Sequence, residues 1–275
     1  MATFFEMVKR VLDVAYEEIE QEEKDKLIKD RLLELSKHYG DVLNKGGPSY
    51  SDEITRFGYV FRYTTAHAEF LNGAFAWSPE LRKALSNEQV TVSCIGGGPG
   101  SDVLGFVKYL LAQKERPKLT FYILDKEQSW VDTWGDLDTI VSEEITTSRN
   151  FLPVDVTKPE TYNIHKKAFK ADIFTLIYFL SEIFKFKQAA TAFLSYCFDK
   201  MKKGALVLVL DFKNDELQKW IDNLAEQEGL ECVGDTEQKV TISPEEGKSV
   251  LKPYIDKYGA PKLTGDIMYR LYRKK

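Results

Sequence analysis

The sequence predicts an α/β protein with a doubly wound, mostly parallel sheet of seven strands that ends in an antiparallel hairpin. Between residues 89 and 212, apolar stretches rich in β-branched residues alternate with amphipathic helical patterns, the order expected of strand–helix–strand units. A glycine cluster joins the first stretch to its helix. Beyond residue 230, two strand candidates are separated by a connection without an obvious crossover helix, which favours antiparallel pairing.

The elements follow in this order. Strands are predicted at 90–95, 119–125, 150–157, 171–180 and 203–212, and then at 230–234 and 266–273. Helices are predicted at 103–114, 130–145, 188–200 and 216–228. The stretch 171–180 is apolar almost throughout, as in a parallel strand that is covered on both faces. Because the last stretch alternates with period two, it fits the antiparallel end of the sheet.

The first 88 residues are predicted to form a helical cap on a second unit that spans residues 89–275. Apolar side chains recur with helical spacing over 4–19 and 27–39, and a break follows at Gly46-Gly47-Pro48. A helix is then predicted over 54–75, which carries Tyr63 with Arg62 beside it. Its aromatic stripe has two interpretations: it faces the core, or it forms a lid over a ligand site.

The glycine cluster after the first strand predicts a nucleotide-cofactor site. Gly96, Gly98 and Gly100 allow the backbone to pass where a Cβ would collide with a ligand. The helix that follows directs its N-terminal N–H groups into the same crevice. A dinucleotide fingerprint would need glycine or alanine at position 101, where this chain has Ser101, and Pro99 removes a backbone donor that a pyrophosphate would use.

The spacing Gly-x-Gly-x-Gly at 96, 98 and 100 resembles the first motif of class I S-adenosylmethionine (SAM)-dependent methyltransferases. One departure is Cys94, which stands where the family often has an acidic residue. The order of strands, with its closing hairpin, also resembles this family, and the resemblance covers residues 90–275. It implies SAM as the cofactor and S-adenosylhomocysteine as the product.

Acidic residues at the ends of the next two strands are the other predicted cofactor contacts. Asp125, followed by Lys126, ends the second strand, where a carboxylate can accept both hydrogen bonds from a ribose diol. The resemblance implies that Asp155 and Val156, after the third strand, meet the adenine. On the lid interpretation, Arg62 or Tyr63 meets the methionine carboxylate.

Glu182 is the predicted acceptor-site base, and Tyr178 is predicted to shape the pocket. Both follow the fourth strand, and ligands of open α/β sheets bind beyond the carboxyl ends of the strands. Glu182 as a simple helix-start residue is the alternative. The histidines are widely spaced and lack zinc-ligand partners, so no metal is expected. The segment after this strand lacks the motif of amino-directed nucleic-acid methyltransferases, and it lacks the cysteine nucleophile of cytosine-C5 methyltransferases. The reaction that remains is transfer of a methyl group to an N or O nucleophile.

The acceptor has three interpretations. The pI near 5.5 and net charge of −5 favour a small molecule over nucleic acid. Lysine groups at 166–170, 185–187 and 200–203 keep RNA as an alternative, and segment 178–183 is similar to RNA-linked members such as ribosomal RNA uridine methyltransferases. A non-catalytic SAM-binding scaffold is the third. No signal peptide or membrane span is recognised, which predicts a cytoplasmic protein, or a nuclear one if the acceptor is RNA.

Overall fold

The structure is a computed structural model that describes residues 4–113, 117–162, 165–242 and 249–275. The helices of the first 88 residues are α1 (Phe4–Glu18), α2 (Lys24–Tyr39), α3 (Val42–Lys45), α4 (Glu53–Tyr59), α5 (Thr65–Trp77) and α6 (Pro79–Leu85). Asp52 caps α4, because its carboxylate accepts the N–H groups of Ile54 and Thr55 at 3.0 and 3.3 Å. A π-helical turn, Val60–Thr64, connects α4 to α5, so the helix predicted over 54–75 is confirmed.

Seven strands form one sheet in the part of the chain that the structure describes. They are β1 (Gln89–Ile95), β2 (Lys118–Asp125), β3 (Thr147–Pro153), β4 (Ile173–Ile177), β5 (Leu206–Phe212), β6 (Leu230–Thr241) and β7 (Thr264–Lys274). Their order is β3-β2-β1-β4-β5-β7-β6. β1 to β5 pair in parallel, whereas β7 pairs antiparallel with both β5 and β6. The predicted fold class is therefore confirmed.

Helices cover both faces of this sheet. They are α7 (Ser101–Gln113), α8 (Trp130–Ser142), α9 (Pro159–Tyr162), α10 (Leu180–Ile183), α11 (Lys187–Lys200), α12 (Asp215–Gln227) and α13 (Lys252–Tyr258). Along β5, Leu206, Leu208 and Leu210 join the apolar cluster of α1, α5 and α7, and Val207 and Val209 join that of α11 and α12. Burial on both faces explains why β5 is apolar rather than alternating.

The N-terminal helices share the first of these two clusters with the sheet. Phe5 and Leu12 of α1 are fully buried in it, together with Phe70 of α5 and Phe121 of β2. The division after residue 88 stays a prediction, but the cap and the sheet do not have separate apolar cores. No helix of the described residues is long and apolar enough to cross a membrane.

Several predicted strand boundaries are wrong: β4 spans Ile173–Ile177 rather than 171–180, β5 begins at Leu206 rather than at 203, and β6 continues to Thr241 rather than ending at 234. β3 ends at Pro153 rather than near 157, because Asp155 accepts the N–H of Thr157 at 2.9 Å and turns the chain. In its described residues, the connection before the last strand lacks a crossover helix, as predicted, but it contains the short helix α13. It packs against the N-terminal helices, where Tyr254 donates a hydrogen bond to Asp13 at 2.8 Å, and it makes no crossover.

Candidate active site

A cavity of about 150 Å³ opens at the carboxyl ends of β1, β2 and β4. The strand order reverses between β1 and β4, and this switch point is where open α/β sheets bind ligands. Predicted site residues that line the cavity are Gly96, Asp125, Lys126, Asp155, Val156, Tyr178 and Glu182. The fold therefore brings most of the residues singled out in the sequence to one place.

The glycine loop has little room for side chains. Gly96 and Gly100 have φ values of +71° and +82°, which residues with a Cβ rarely adopt. Gly98 has no such φ, but a Cβ there would overlap the Trp130 ring and lie 2.7 Å from a carboxylate oxygen of Asp125. The loop thus needs glycine for conformation at two positions and for space at the third.

Asp125 links the end of β2 to this loop. Its carboxylate accepts the N–H groups of Gly98 and Glu127 at 3.1 and 2.9 Å. Burial raises its pKa to about 6, although these hydrogen bonds and the neighbouring Lys126 act in the opposite direction. Lys126 is exposed at the rim. A carboxylate whose pKa is raised toward neutral pH is a common feature of functional sites.

Asp155 and Val156 lie in the turn after β3. Burial would raise the pKa of Asp155, but hydrogen bonds from Thr157 and the charge of Lys158 hold it below its usual value. The Val156 side chain is nearly buried beside it. This pair presents an apolar surface next to an ionised carboxylate.

Asp102, in the first turn of α7, is a residue that the sequence interpretation missed. It lines the cavity and is 3% exposed, and it accepts a hydrogen bond from the hydroxyl of Thr175 on β4. Its burial raises its pKa to about 7. Thr175 is the register partner of Cys94, so its hydrogen bond to Asp102 brings a carboxylate near the end of β1, where the sequence has only a thiol. Burial and this nearby charge both raise the pKa of Cys94.

Trp130 was also missed. Its indole lines the cavity directly against Gly98 of the glycine loop, and its ring centroid lies 5.1 Å from that of Tyr50. The ring is 1% exposed, and its N–H has no hydrogen-bond partner among the described residues. The Ser101 hydroxyl, which lines the same cavity, is also unpaired there. Buried unpaired donors are costly, so these two indicate a polar ligand.

Glu182 is held in place by two tyrosines from the N-terminal region. Tyr50 donates a hydrogen bond to its carboxylate at 2.8 Å, and Tyr39 donates to the same oxygen. Burial raises the pKa of Glu182 to about 7 against these hydrogen bonds, and the charges of Asp125 and Asp211 contribute to the rise. The carboxylate is thus positioned to accept a proton near neutral pH.

Tyr178 has the strained backbone of the site. Its φ of +53° is the one positive value at a residue other than glycine among those described, and such strain is concentrated at functional sites. Its ring stacks on His67 with centroids 3.7 Å apart. Its buried hydroxyl has no hydrogen-bond partner among the described residues.

The structure does not bring Arg62 and Tyr63 to the glycine-loop cavity. Tyr63 lines a second cavity, where its ring lies 4.9 Å from that of Tyr39. The backbone carbonyl of Arg62 accepts the N–H of Lys262 at 2.8 Å, and its guanidinium lies 6.0 Å from the Tyr63 ring centre. The π-helical turn that holds both residues has no simple sequence signal.

Among the described residues, no group of three or more histidine, cysteine or acidic side chains has the arrangement of a metal site. The cavity instead fits an organic cofactor with both charged and aromatic parts. It combines unpaired donors at Trp130 and Ser101, buried carboxylates at Asp102 and Asp125, and an apolar wall at Val156. Together with the strand order, these features define a methyltransferase of the Rossmann-like class.

Comparison with known families agrees with this class. A family model described as "Putative SAM-dependent methyltransferase" matches residues 49–215, which is more than half of the chain. The chain belongs to this family. The predicted superfamily and the predicted cofactor, SAM, are thereby confirmed, and SAH is the product. No curated protein matches the chain.

Solved structures with similar folds include a SAM-dependent methyltransferase from Methanosarcina mazei, with a TM-score of 0.48, 10% identity, and coverage of 72% of this chain and 97% of that chain. A "putative RNA methyltransferase" from Pyrococcus horikoshii has a TM-score of 0.48 and 17% identity, with coverage of 88% of this chain and 98% of that chain. The N-methyltransferase NodS from Bradyrhizobium japonicum, in complex with SAH, has a TM-score of 0.39 and 12% identity, with coverage of 74% of this chain and 87% of that chain.

The Asp125→Ala substitution is expected to lower SAM affinity by more than tenfold. It would remove the charge-assisted hydrogen bonds that Asp125 is predicted to accept from the ribose of SAM, and their loss costs about 1.5–3 kcal/mol. Isothermal titration with SAM measures the effect. The melting temperature without ligand should change little, because the burial of this carboxylate offsets the two backbone hydrogen bonds that it accepts. An equal loss of unliganded stability would instead assign Asp125 to support of the glycine loop.

Proposed function

We propose that the protein transfers the methyl group of SAM to an N or O nucleophile of a small-molecule acceptor, with Glu182 accepting the acceptor's proton. The observation that carries this proposal is the carboxylate of Glu182. It lines the cofactor cavity, two tyrosines orient it, and burial raises its pKa to about 7. A non-catalytic scaffold would not need such a group.

Each part of the cavity has a role in this proposal. Asp125 binds the ribose, and Asp155 and Val156 bind the adenine. Asp102 faces the positive charges of the methionine part, and the free donors of Trp130 and Ser101 bind its carboxylate. When bound, SAM supplies a methyl group on a sulfonium that a nucleophile can attack.

The remaining chemistry belongs to residues of this chain. Tyr39 and Tyr50 fix the carboxylate of Glu182, so the acceptor meets a base that is already oriented. Gly47, whose N–H donates to the Glu182 carbonyl at 2.8 Å, brings the N-terminal segment over the cavity. This cover excludes water from the transferring group.

Isothermal titration with SAM and SAH, followed by a methyl-release screen on a metabolite extract and on total RNA, tests the proposal. Binding of both ligands and turnover with the metabolite extract are the expected results. Failure of SAM to bind would contradict every enzymatic interpretation, and binding without any turnover would favour the scaffold.

One observation favours RNA as a second candidate acceptor. Phe186 lies at the mouth of the cavity and is 45% exposed, with the Lys185 ammonium 5.6 Å from its ring centre. Exposed aromatic rings beside lysines are platforms for single-stranded nucleic acid. If RNA is the acceptor, its affinity should fall steeply as salt increases, whereas that of a small acceptor should not.

SAM binding is expected to weaken as the pH falls below about 7, and Asp102→Asn should weaken it above pH 7 but have little effect at pH 5. The pKa of Asp102 is about 7 in the unliganded structure, and only the ionised carboxylate attracts a cationic ligand. Titrations between pH 5 and 8 measure both effects. An affinity that is independent of pH and of this substitution would place Asp102 outside the binding site.

The raised pKa of Asp102 also leads to a prediction about the stability of the unliganded protein. Because burial raises its pKa above the unfolded value, the folded protein binds more protons, and the unliganded melting temperature should fall as the pH rises from 5 to 8. Asp102→Asn should reduce this slope. Glu182, Asp125 and Asp211, whose pKa values are raised to about 7, 6 and 6, act in the same direction, whereas the lowered pKa of buried His67 acts in the opposite direction below about pH 6.5.

A further inference from the structure

A second cavity, of about 320 Å³, adjoins the first one. Tyr178 lines both cavities, and Tyr39, which lines the second, donates a hydrogen bond to Glu182 in the first. The two cavities therefore meet at Tyr178 and at the hydrogen bond between Tyr39 and Glu182. A molecule in the second cavity would have one end close to Glu182 and the cofactor.

Five aromatic rings line this second cavity. Its lining includes Tyr39, Tyr63, His67, Tyr178 and Phe212. The His67 ring stacks on Tyr178 with an interplanar angle of 6°. Flat walls of this kind favour a planar ring, since aromatic stacking adds to the gain from burial. The volume is in the range of sites that bind small molecules.

Lys262 supplies a positive charge to the same cavity. Its ammonium lies 4.9 Å from the Tyr178 ring centre and 5.9 Å from that of Tyr63. Among the described residues, it makes no side-chain hydrogen bond or ion pair. Burial lowers its pKa, and the attraction of Asp211 acts against this. Lys262 is half-buried, and an ammonium without a direct partner in such a place gains a charge-assisted contact when an anion pairs with it.

The acidic residues nearby already have partners of their own. Asp211 accepts the N–H groups of Ser181 and Phe212 at 3.0 and 2.8 Å. Asp41, which lines the cavity, accepts a hydrogen bond from the Asn44 amide at 2.7 Å. These hydrogen bonds hold the two carboxylates in place, and the positive charge at the cavity comes from Lys262 and the neighbouring Arg62.

Two buried polar atoms of the lining are also unpaired. The Nε2 atom of His67 and the hydroxyl of Tyr178 have no hydrogen-bond partner among the described residues, and their side chains are 3% and 7% exposed. Burial holds the pKa of His67 well below its usual value, so its imidazole is neutral. Both atoms can serve a polar substituent on a bound ring.

We infer that this second cavity is the acceptor site and that it takes a planar aromatic anion, such as a ring with a carboxylate, whose anionic group pairs with Lys262. The ring stacks among Tyr63, His67 and Tyr178, and its hydroxyl or ring N–H points toward Glu182. The inference rests on the proposed methyl transfer, because it names the substrate class of that reaction.

The test is a titration of 4-hydroxybenzoate into the full-length protein, with and without SAH. Two comparison ligands isolate its features: 4-hydroxybenzyl alcohol has the ring without the charge, and cyclohexanecarboxylate has the charge without the aromatic ring. Lys262→Met is compared with Lys203→Met, which removes an exposed lysine from the turn before β5. SAH affinity of each variant is measured in parallel and reports on folding and on the cofactor site.

We expect 4-hydroxybenzoate to bind more tightly than either comparison ligand. Lys262→Met should weaken its binding by about tenfold or more, because a charge-assisted contact is lost, and Lys203→Met should have no effect. SAH affinity should be unchanged in both variants.

The inference is overturned if 4-hydroxybenzoate does not bind, if the alcohol binds equally well, or if Lys262→Met leaves its affinity unchanged. Binding of a short single-stranded oligoribonucleotide in place of these anions would also overturn it. Failure of SAH to bind is a separate result that contradicts the proposed function, since the second cavity can be titrated without SAH.

Discussion

The Gly98→Val substitution is expected to abolish detectable SAM binding while the protein remains folded. A Cβ at this position would overlap the indole of Trp130 and approach the carboxylate of Asp125 to 2.7 Å. The branched side chain would therefore displace both walls of the cofactor cavity. Isothermal titration measures the loss, and circular dichroism verifies the fold.

Gly135→Val is the matched control for Gly98→Val. It lies in α8, the helix that carries Trp130, and nothing described lies within 4 Å of a Cβ built at this position. Its SAM affinity should equal that of the parent protein. A Gly98→Val protein that folds and binds SAM normally would place the cofactor elsewhere.

The Glu182→Gln substitution is expected to lower kcat by about 100-fold or more, with SAM affinity unchanged, because glutamine keeps the shape but cannot accept the proton. In the parent protein, kcat should rise as the pH passes upward through about 7, the pKa of Glu182. The variant should lose this rise. Rates with an acceptor from the methyl-release screen provide the measurement.

The Tyr50→Phe substitution tests whether the Glu182 carboxylate acts as a base or only supports the structure. It removes a hydrogen bond that favours the ionised form of Glu182, so the pH profile of kcat should move to higher pH. If Glu182→Gln turns over like the parent across the pH series, Glu182 is not the base, and the acceptor reaches the site already deprotonated.

The fold was largely predictable from the sequence because its signals are local. Each parallel strand is a short apolar stretch next to a helical pattern, and Gly96 and Gly100 mark the first turn by their conformational needs. The carboxyl ends of such strands meet at one edge. For this reason the sequence alone predicts that Asp125, Asp155 and Glu182 lie at one cavity.

The missed residues depend on contacts between distant parts of the chain. Tyr39 and Tyr50 reach Glu182 across more than 130 positions, with sequence separations of 143 and 132. Asp102 supplies a carboxylate beside Cys94 only because α7 packs against β4, where Thr175 binds it. The π-helical turn directs Tyr63 to the second cavity rather than the first. Hydrophobic periodicity in the sequence does not predict contacts between residues that are so far apart along the chain.

The insertion of β7 between β5 and β6 has a consequence for synthesis of the protein on the ribosome. β5 precedes β7 by more than 50 residues, and β6 joins the sheet only through β7. Until residues 264–274 have emerged, β5 presents an open edge made of Leu206, Val207 and their apolar neighbours. Unpaired apolar edges promote aggregation, so nascent chains that stall in this interval are expected to require chaperones.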